Sequence, residues 1–330
     1  MQTMQYDPLP TIALFTGDPA GIGPELVEKL LADRSATDSA RVLLIGQQGG
    51  AAVRSAVQIH DWPGRDSAPF APGVAAADNG RYMLEGLAQG VDLVRGRAAD
   101  AFCFAPLNKG ALRLGGMHQE DELRWFSDHL AYDGECGELN VLKNLWTARV
   151  TSHVALRDVT GLLTPQKVAN AIRMITEALR DAGVPQPRIA VCGLNPHNGD
   201  NGNYGDEEGR IIGPGVALAE QQGYPAHGPF PADTAFVRAV RAQGGYDGVV
   251  TMYHDQGQIA MKLLGFEQGV TVHGGLPIPI TTPAHGTAYD IVGKGIASPR
   301  AMRNAFDLAV RMGQAFRRKK ADANPKETLA

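Results

Sequence analysis

The chain is poor in cysteine and has no long apolar run. Its three cysteines, Cys103, Cys136 and Cys192, are far apart in 330 residues and form no Cys-x-x-Cys pair. An odd, scattered set argues for reduced thiols, and Cys103 and Cys192 sit inside apolar runs where a buried thiol is expected. No stretch approaches the ~20 apolar residues needed to span a bilayer. Residues 1–10 lack a positive region followed by an apolar one, so no signal peptide is expected. These absences point to a reduced, cytoplasmic protein. An excess of one charge is also missing: Lys and Arg number 31, Asp and Glu 35, for a net charge of -4. No basic stripe indicates a nucleic acid, and Arg317-Arg318-Lys319-Lys320 reads as a solvated helix end. There is no Gly-x-Gly-x-x-Gly in the strand–helix context of a dinucleotide fold. The glycine-rich stretch Gly17-Asp18-Pro19-Ala20-Gly21-Ile22-Gly23 lacks the Lys-Ser/Thr of a phosphate loop. Repeats and low-complexity segments are absent as well.

What is present is ordinary for a globular protein: 44% hydrophobic and 20% charged residues, with 40 glycines for tight turns. The length suits two domains. Apolar runs at 11–15, 41–46 and 101–105 read as strands. Helical spacing appears at 26–32, 81–94, 166–179 and 299–316. Pro24 suits a first helical turn, Thr164-Pro165 a cap and first turn, and residues 62–74 an irregular surface segment. In the last helix Met302, Phe306, Ala309, Val310 and Met312 should face the core. Alternating strands and helices imply a largely parallel sheet.

Three apolar runs end in histidine: 148–153 at His153, 189–197 at His197 and 248–254 at His254. Each histidine is expected to open a polar or glycine-containing turn. In an open parallel sheet ligands gather beyond the carboxyl ends of the strands. One such histidine is most simply bonded to its own loop. Three at equivalent positions could converge as neutral imidazoles on a divalent metal that keeps an open coordination position. Asp255-Gln256-Gly257 and Asn198-Gly199-Asp200 offer acceptors for the ring nitrogens that do not ligate. Lys262 lies eight residues beyond His254, on the same face of a helix, and Lys109 follows a buried strand. Either could hold a substrate anion. His285-Gly286-Thr287-Ala288-Tyr289-Asp290 would let a backbone approach a nucleotide closely, or be an ordinary turn before a helix.

Gly17-Asp18-Pro19-Ala20-Gly21-Ile22-Gly23-Pro24-Glu25 resembles the opening signature of the 4-hydroxythreonine-4-phosphate dehydrogenase family. So do Ala105-Pro106-Leu107-Asn108-Lys109, Thr151-Ser152-His153-Val154-Ala155-Leu156-Arg157-Asp158, Leu194-Asn195-Pro196-His197, Pro231-Ala232-Asp233-Thr234 and Met252-Tyr253-His254-Asp255-Gln256-Gly257. The match runs in order over nearly the whole chain. The segment from His285 through Ala297 is similar to the cofactor side of isopropylmalate dehydrogenases. The resemblance implies an α/β fold of two α/β/α domains with a cleft between them, isopropylmalate-dehydrogenase-like. Residues 1–125 with 266–330 would form the first domain, with the cofactor segment. Residues 126–265 would form the second, with the metal ligands and dimer contact. It implies a homodimer and a divalent metal (Zn, Mg, Mn or Co) held by His153, His197 and His254 from both subunits. It also implies NAD or NADP bound near His285, Gly286, Thr287, Ala288 and Asp290. Lys262 falls on a substrate-contacting lysine.

The chain departs from the family on the substrate side. Gln119-Glu120-Asp121-Glu122-Leu123-Arg124-Trp125-Phe126 stands where the family has Gly-His-Thr-Glu. Thr271 replaces an asparagine, and Ile280 an arginine, in Leu276-Pro277-Ile278-Pro279-Ile280-Thr281-Thr282. Isoleucine cannot make the bidentate contact that an arginine offers a phosphate or carboxylate. Lys109, Glu122, Leu123, Arg124, Lys262, Thr271 and Ile280 are therefore the expected substrate-side positions, with Arg124 as a relocated carboxylate contact or a solvent-facing side chain. The expectation is metal-assisted oxidation of a secondary alcohol in a small hydroxy acid or diol, with decarboxylation where the product is a β-keto acid. The base would be Asp255, Asp233 or Lys262. The alternatives are an authentic 4-hydroxythreonine-4-phosphate dehydrogenase, an aromatic cis-dihydrodiol dehydrogenase of the terephthalate-diol type, and a non-catalytic ligand-binding homologue. No nucleic acid or membrane partner is expected.

Overall fold

The structure is a computed structural model that describes residues 9–46, 57–66, 70–241 and 243–323. Positions 1–8 and 67–69, on which the leader and surface-segment expectations partly fall, lie outside the described residues. The chain divides into two compact α/β units, one within 1–131 and 277–330, the other within 132–276.

Strands are numbered along the chain. The first unit holds β1 (Thr11–Phe15), β2 (Arg41–Ile45), β3 (Gln58–Ile59), β4 (Ala101–Phe104) and β11 (Ile280–Pro283). They run parallel in the order β3-β2-β1-β4-β11. β4 and β11 are buried along their whole length and β1 over all but its first residue, which is why they read as continuous apolar runs rather than alternating ones. Helices Ala77–Arg95 and Arg300–Ala323 pack against this sheet, and the helix Gly23–Ala32 packs against Arg300–Ala323. Met302, Phe306, Ala309, Val310 and Met312 are all buried, as their spacing requires. Pro24 lies in the first turn of its helix, where a missing N–H costs nothing.

The second unit holds β5 (Gly137–Leu142), β6 (Leu145–Arg149), β7 (Ile189–Cys192), β8 (His227–Phe230), β9 (Gly248–Thr251) and β10 (Val270–Gly274). Their order is β10-β5-β6-β9-β7-β8. β6, β9, β7 and β8 are parallel, and β5 pairs antiparallel with both β6 and β10. The β5–β6 hairpin departs from the strand–helix rhythm expected throughout. The helix Pro165–Asp181 buries Val168, Ile172, Ile175 and Leu179, and Thr164 caps it by accepting from the Lys167 N–H at 3.2 Å. No described helix is long and apolar enough to cross a membrane.

Candidate active site

β6, β9 and β7 are neighbours, with Arg149 beside Thr251 and Val191 beside Val250. Their carboxyl ends therefore deliver the three histidine-bearing segments to one edge of the sheet. The His153 and His254 rings lie 5.6 Å apart between centroids, tilted by 47°. His254 opens the helix His254–Gly265, the helix on which Lys262 was expected to follow it. That helix carries Lys262 in its last turn, exposed to solvent. The His254 Nδ1 and Asp255 Oδ1 are 2.6 Å apart. With Nδ1 donating to that carboxylate, Nε2 keeps its lone pair free for a cation.

His197 is not in that pair. Its ring lies 6.2 Å from the Tyr204 ring. Among the described residues of a single chain, no group of three His, Cys, Asp or Glu side chains could hold a metal ion. His197 begins five consecutive residues with positive φ: His197 at 52°, Asn198 at 62°, Gly199 at 82°, Asp200 at 42° and Asn201 at 56°. Gly, Asn, Asp and His enter this left-handed region most readily, but as single residues, and five in succession make a strained segment. Strain of this kind gathers at functional sites because the surroundings must hold it in place.

Glu208, which was not among the expected residues, and Gln256, expected only as an acceptor for a histidine ring, do the holding. The buried Glu208 carboxylate accepts from the Leu194 N–H at 2.7 Å, the Asn195 N–H at 2.6 Å and Asn195 Nδ2 at 3.0 Å. Gln256 accepts from the Met252 N–H at 2.7 Å and donates to the Gly193 carbonyl at 2.8 Å, tying the ends of β9 and β7 together. A third group braces the histidine pair. Arg149 donates to Ser152 Oγ at 2.9 Å and Asn140 Oδ1 at 2.8 Å, and pairs with Glu138. Asn140 Oδ1 also accepts from Gln258, one turn beyond His254, at 2.6 Å. Thr271 joins this network weakly, its hydroxyl 3.5 Å from Asn140 Nδ2. Gln256 was expected as an acceptor for a histidine ring nitrogen and as part of the 252–257 motif, but its side chain bonds the Met252 N–H and the Gly193 carbonyl instead; Glu208, Arg149 and Asn140 had no sequence signal of their own.

The other expected positions are more dispersed. Asp233 is exposed in the first turn of the helix Ala232–Ala239. In the first unit, Lys109 Nζ lies 3.6 Å from the Glu122 carboxylate. Leu123 is buried, Arg124 is exposed, and Ile280 is wholly covered inside β11. His285 Nδ1 is 3.0 Å from the Gly286 carbonyl oxygen. Ala288 is left-handed, Thr287 is buried and Asp290 is exposed. The Thr287 carbonyl accepts from the Ile22 N–H at 3.1 Å, so this segment is docked on the glycine-rich stretch near the N-terminus.

Known proteins match the chain over more than nine-tenths of its length. A Pseudomonas aeruginosa protein provisionally named 4-hydroxythreonine-4-phosphate dehydrogenase 2 is 49% identical, covering 94% of this chain and 99% of its own. The D-threonate 4-phosphate dehydrogenase of Cupriavidus necator is 38% identical, covering 92% and 99%. The crystal structure of 4-hydroxythreonine-4-phosphate dehydrogenase from Klebsiella pneumoniae superposes with a TM-score of 0.80 at 33% identity, covering 93% and 98%. A β-decarboxylating dehydrogenase from Thermococcus kodakarensis, 15% identical with a TM-score of 0.51 and coverage of 98% and 99%, shares the fold alone. The family model described as pyridoxal phosphate biosynthetic protein PdxA matches residues 26–309, a span that takes in every histidine of the strand-end set, and the chain belongs to that family.

Proposed function

We propose that this chain, an oxidoreductase acting on CH–OH groups, is a metal-dependent nicotinamide dehydrogenase that oxidises a secondary alcohol of a small phosphorylated hydroxy acid. The observation that carries this reading is the His153–His254 pair, 5.6 Å apart at neighbouring strand ends with Asp255 on one ring. Two imidazoles so arranged fit a borderline divalent cation such as zinc, and Mg, Mn or Co remain candidates. In this reading a second copy of the chain supplies the third imidazole, His197. That assignment is supported by exposed apolar side chains around the histidines: Val154, Leu156, Ile259 and Leu263, the last 84% exposed. The nucleotide, NAD or NADP, lies along the segment 285–297, where Gly286, Gly293 and Gly295 have open space on their Cβ sides. Buried thiols at Cys103 and Cys192 fit a reduced, cytoplasmic setting.

Bound at these places, a divalent cation supplies Lewis acidity toward an alcohol oxygen and a nicotinamide accepts hydride. The chain's own residues do the rest. Asp255 orients His254, which leaves the proton of the alcohol to Asp233 or Lys262. Lys262 also offers positive charge to a carboxylate or phosphate. Relatives named for 4-hydroxythreonine 4-phosphate and D-threonate 4-phosphate support a four-carbon phosphorylated substrate. A second reading, a non-phosphorylated hydroxy acid or diol, is favoured by Ile280, because β11 carries an aliphatic side chain where the resemblance implies a guanidinium.

The test is reduction of NAD or NADP, read by absorbance, with both phosphorylated acids and with non-phosphorylated diols. The expected result is turnover of one phosphorylated acid that stops with a chelator and returns with divalent metal. Removing one of three imidazoles, as in His153→Ala, should lower turnover by roughly a hundred-fold or more with the fold intact. Turnover in metal-free buffer, or no reduction with any substrate, would sink the reading.

A further inference from the structure

The glycine-rich motif at 17–25 has no part in the chemistry above, yet it makes specific polar contacts with the segment assigned to the nucleotide. We infer that residues 17–29 clamp the segment 285–297 into its nucleotide-binding shape, with Asp18, Glu25 and Lys29 as positioning residues. The inference deepens the proposed function and rests on its assignment of the nucleotide to this segment.

The clamp grips at two ends. At the first, the Tyr289 hydroxyl donates to Asp18 Oδ2 at 2.5 Å, and the Ile22 N–H donates to the Thr287 carbonyl at 3.1 Å. A Cβ on Gly21 would sit 2.9 Å from Thr287 Cβ, so only glycine lets the two backbones come this close. At the second end, Glu25 Oε1 accepts from the Ala297 N–H at 2.9 Å and from Lys29 Nζ at 2.7 Å. The same ammonium donates to the Gly295 carbonyl at 2.9 Å and the Ala297 carbonyl at 2.8 Å.

Between the two grips the chain is open. Gly293, Lys294, Gly295 and Ile296 are exposed, and neither Gly293 nor Gly295 has any atom near where a Cβ would be. An open backbone pinned at both ends is a preformed cradle for a dinucleotide, because the ordering cost of the loop is already met by protein contacts. The first grip is built to persist. The Asp18 side chain is buried and also accepts from the Ala20 N–H at 3.0 Å. Burial, then the bond to Asp18, pushes the Tyr289 hydroxyl above its ordinary value, so it stays a proton donor across the working pH range.

The experiment titrates NAD and NADP into the purified full-length protein with divalent metal present, by calorimetry, for wild type, Tyr289→Phe and Lys29→Met. Arg303→Met is the control. That arginine makes comparable bonds, to Asp33 at 2.8 Å, Ser35 at 2.7 Å and Asp307 at 2.9 Å, but none to the 285–297 segment. Each clamp variant should raise the nucleotide Kd about ten-fold, the scale of one lost hydrogen bond to a charged group. In Lys29→Met, whose side chain lies outside the nucleotide segment, turnover at saturating nucleotide should stay within about two-fold of wild type, so that KM for nucleotide moves and kcat does not. Hydrogen exchange should quicken at 285–290 in Tyr289→Phe and at 295–297 in Lys29→Met. Arg303→Met should lose stability and keep the wild-type Kd. Unchanged Kd values in both clamp variants, or an equal rise in the control, overturn the clamp while wild type still binds nucleotide. If wild type binds neither nucleotide, the proposed function falls and the clamp with it. Lys29 is partly exposed, so Lys29→Met keeps the test alive if the buried-site variant does not fold.

Discussion

At the scale of single residues, the least expected charge is Asp18. Its carboxyl lies inside the first unit, and burial pushes it above its ordinary value of 3.8, with bonds from Tyr289 and Ala20 pulling the other way. A carboxyl raised in the fold contributes stability that is complete below pH 3.8 and is lost as pH rises through the folded value. Wild type should therefore lose stability relative to Asp18→Asn as the pH climbs from the ordinary carboxylate value, at no more than about 1.4 kcal/mol per pH unit. Denaturant melts of both proteins across that range check it; parallel curves would mean that the carboxyl titrates as a solvated one. The two apolar-run cysteines show the same desolvation. Cys103 and Cys192 are pushed up to about 12, so both remain neutral, packed thiols.

At the scale of elements, the histidine-bearing turns depend on partners remote in sequence. Glu208 takes three donors from Leu194 and Asn195, just ahead of the left-handed turn that begins at His197. Glu208→Ala leaves the half-buried Leu194 and Asn195 N–H groups without this acceptor, while Asn195 Nδ2 keeps Glu207 at 2.7 Å, and a loss of about 1–3 kcal/mol in unfolding free energy is expected. Metal affinity, measured by titration with a chelating dye, should fall with it, while Glu208→Gln should recover part of both. Equal metal affinity in the alanine variant would show that the 194–201 turn holds its shape without this carboxylate. Helices were easier to read than turns. Val168, Ile172, Ile175 and Leu179 repeat with the helical period and are all buried, because a helix face is set by neighbours three and four residues away. The turn at 197–201 announces only a density of Asn, Asp and Gly; its hand is set by contacts that spacing does not contain.

At the scale of the whole molecule, the second unit keeps a surface unsuited to water. The helix His254–Gly265 buries only Gly257 and Met261, whereas Ile259 is 60% exposed and Leu263 84%. Under the proposed shared metal site, association with a second copy would both bring in the third imidazole and cover this apolar helix face. Leu263→Glu should place a charge in that contact and shift the protein to monomer, read by light scattering after size exclusion. Turnover and metal affinity should fall together by ten-fold or so if the second copy supplies His197, since the loss of one ligand weakens a site by about that factor or more. A monomer with full metal affinity would refute the shared site.

Local composition already carried the α/β class, the parallel strands and the helix faces, because burial of a strand or a helix stripe is written in residues two to four positions apart. It also carried the histidines at the strand ends, since each closes its own apolar run. The pairing of His153 with His254 while His197 stands aside, the bond between Asp18 and Tyr289, and the three donors on Glu208 came from the folded chain. Those contacts join residues distant along the backbone, and their free energy exists only after the sheet has brought the partners within hydrogen-bond reach.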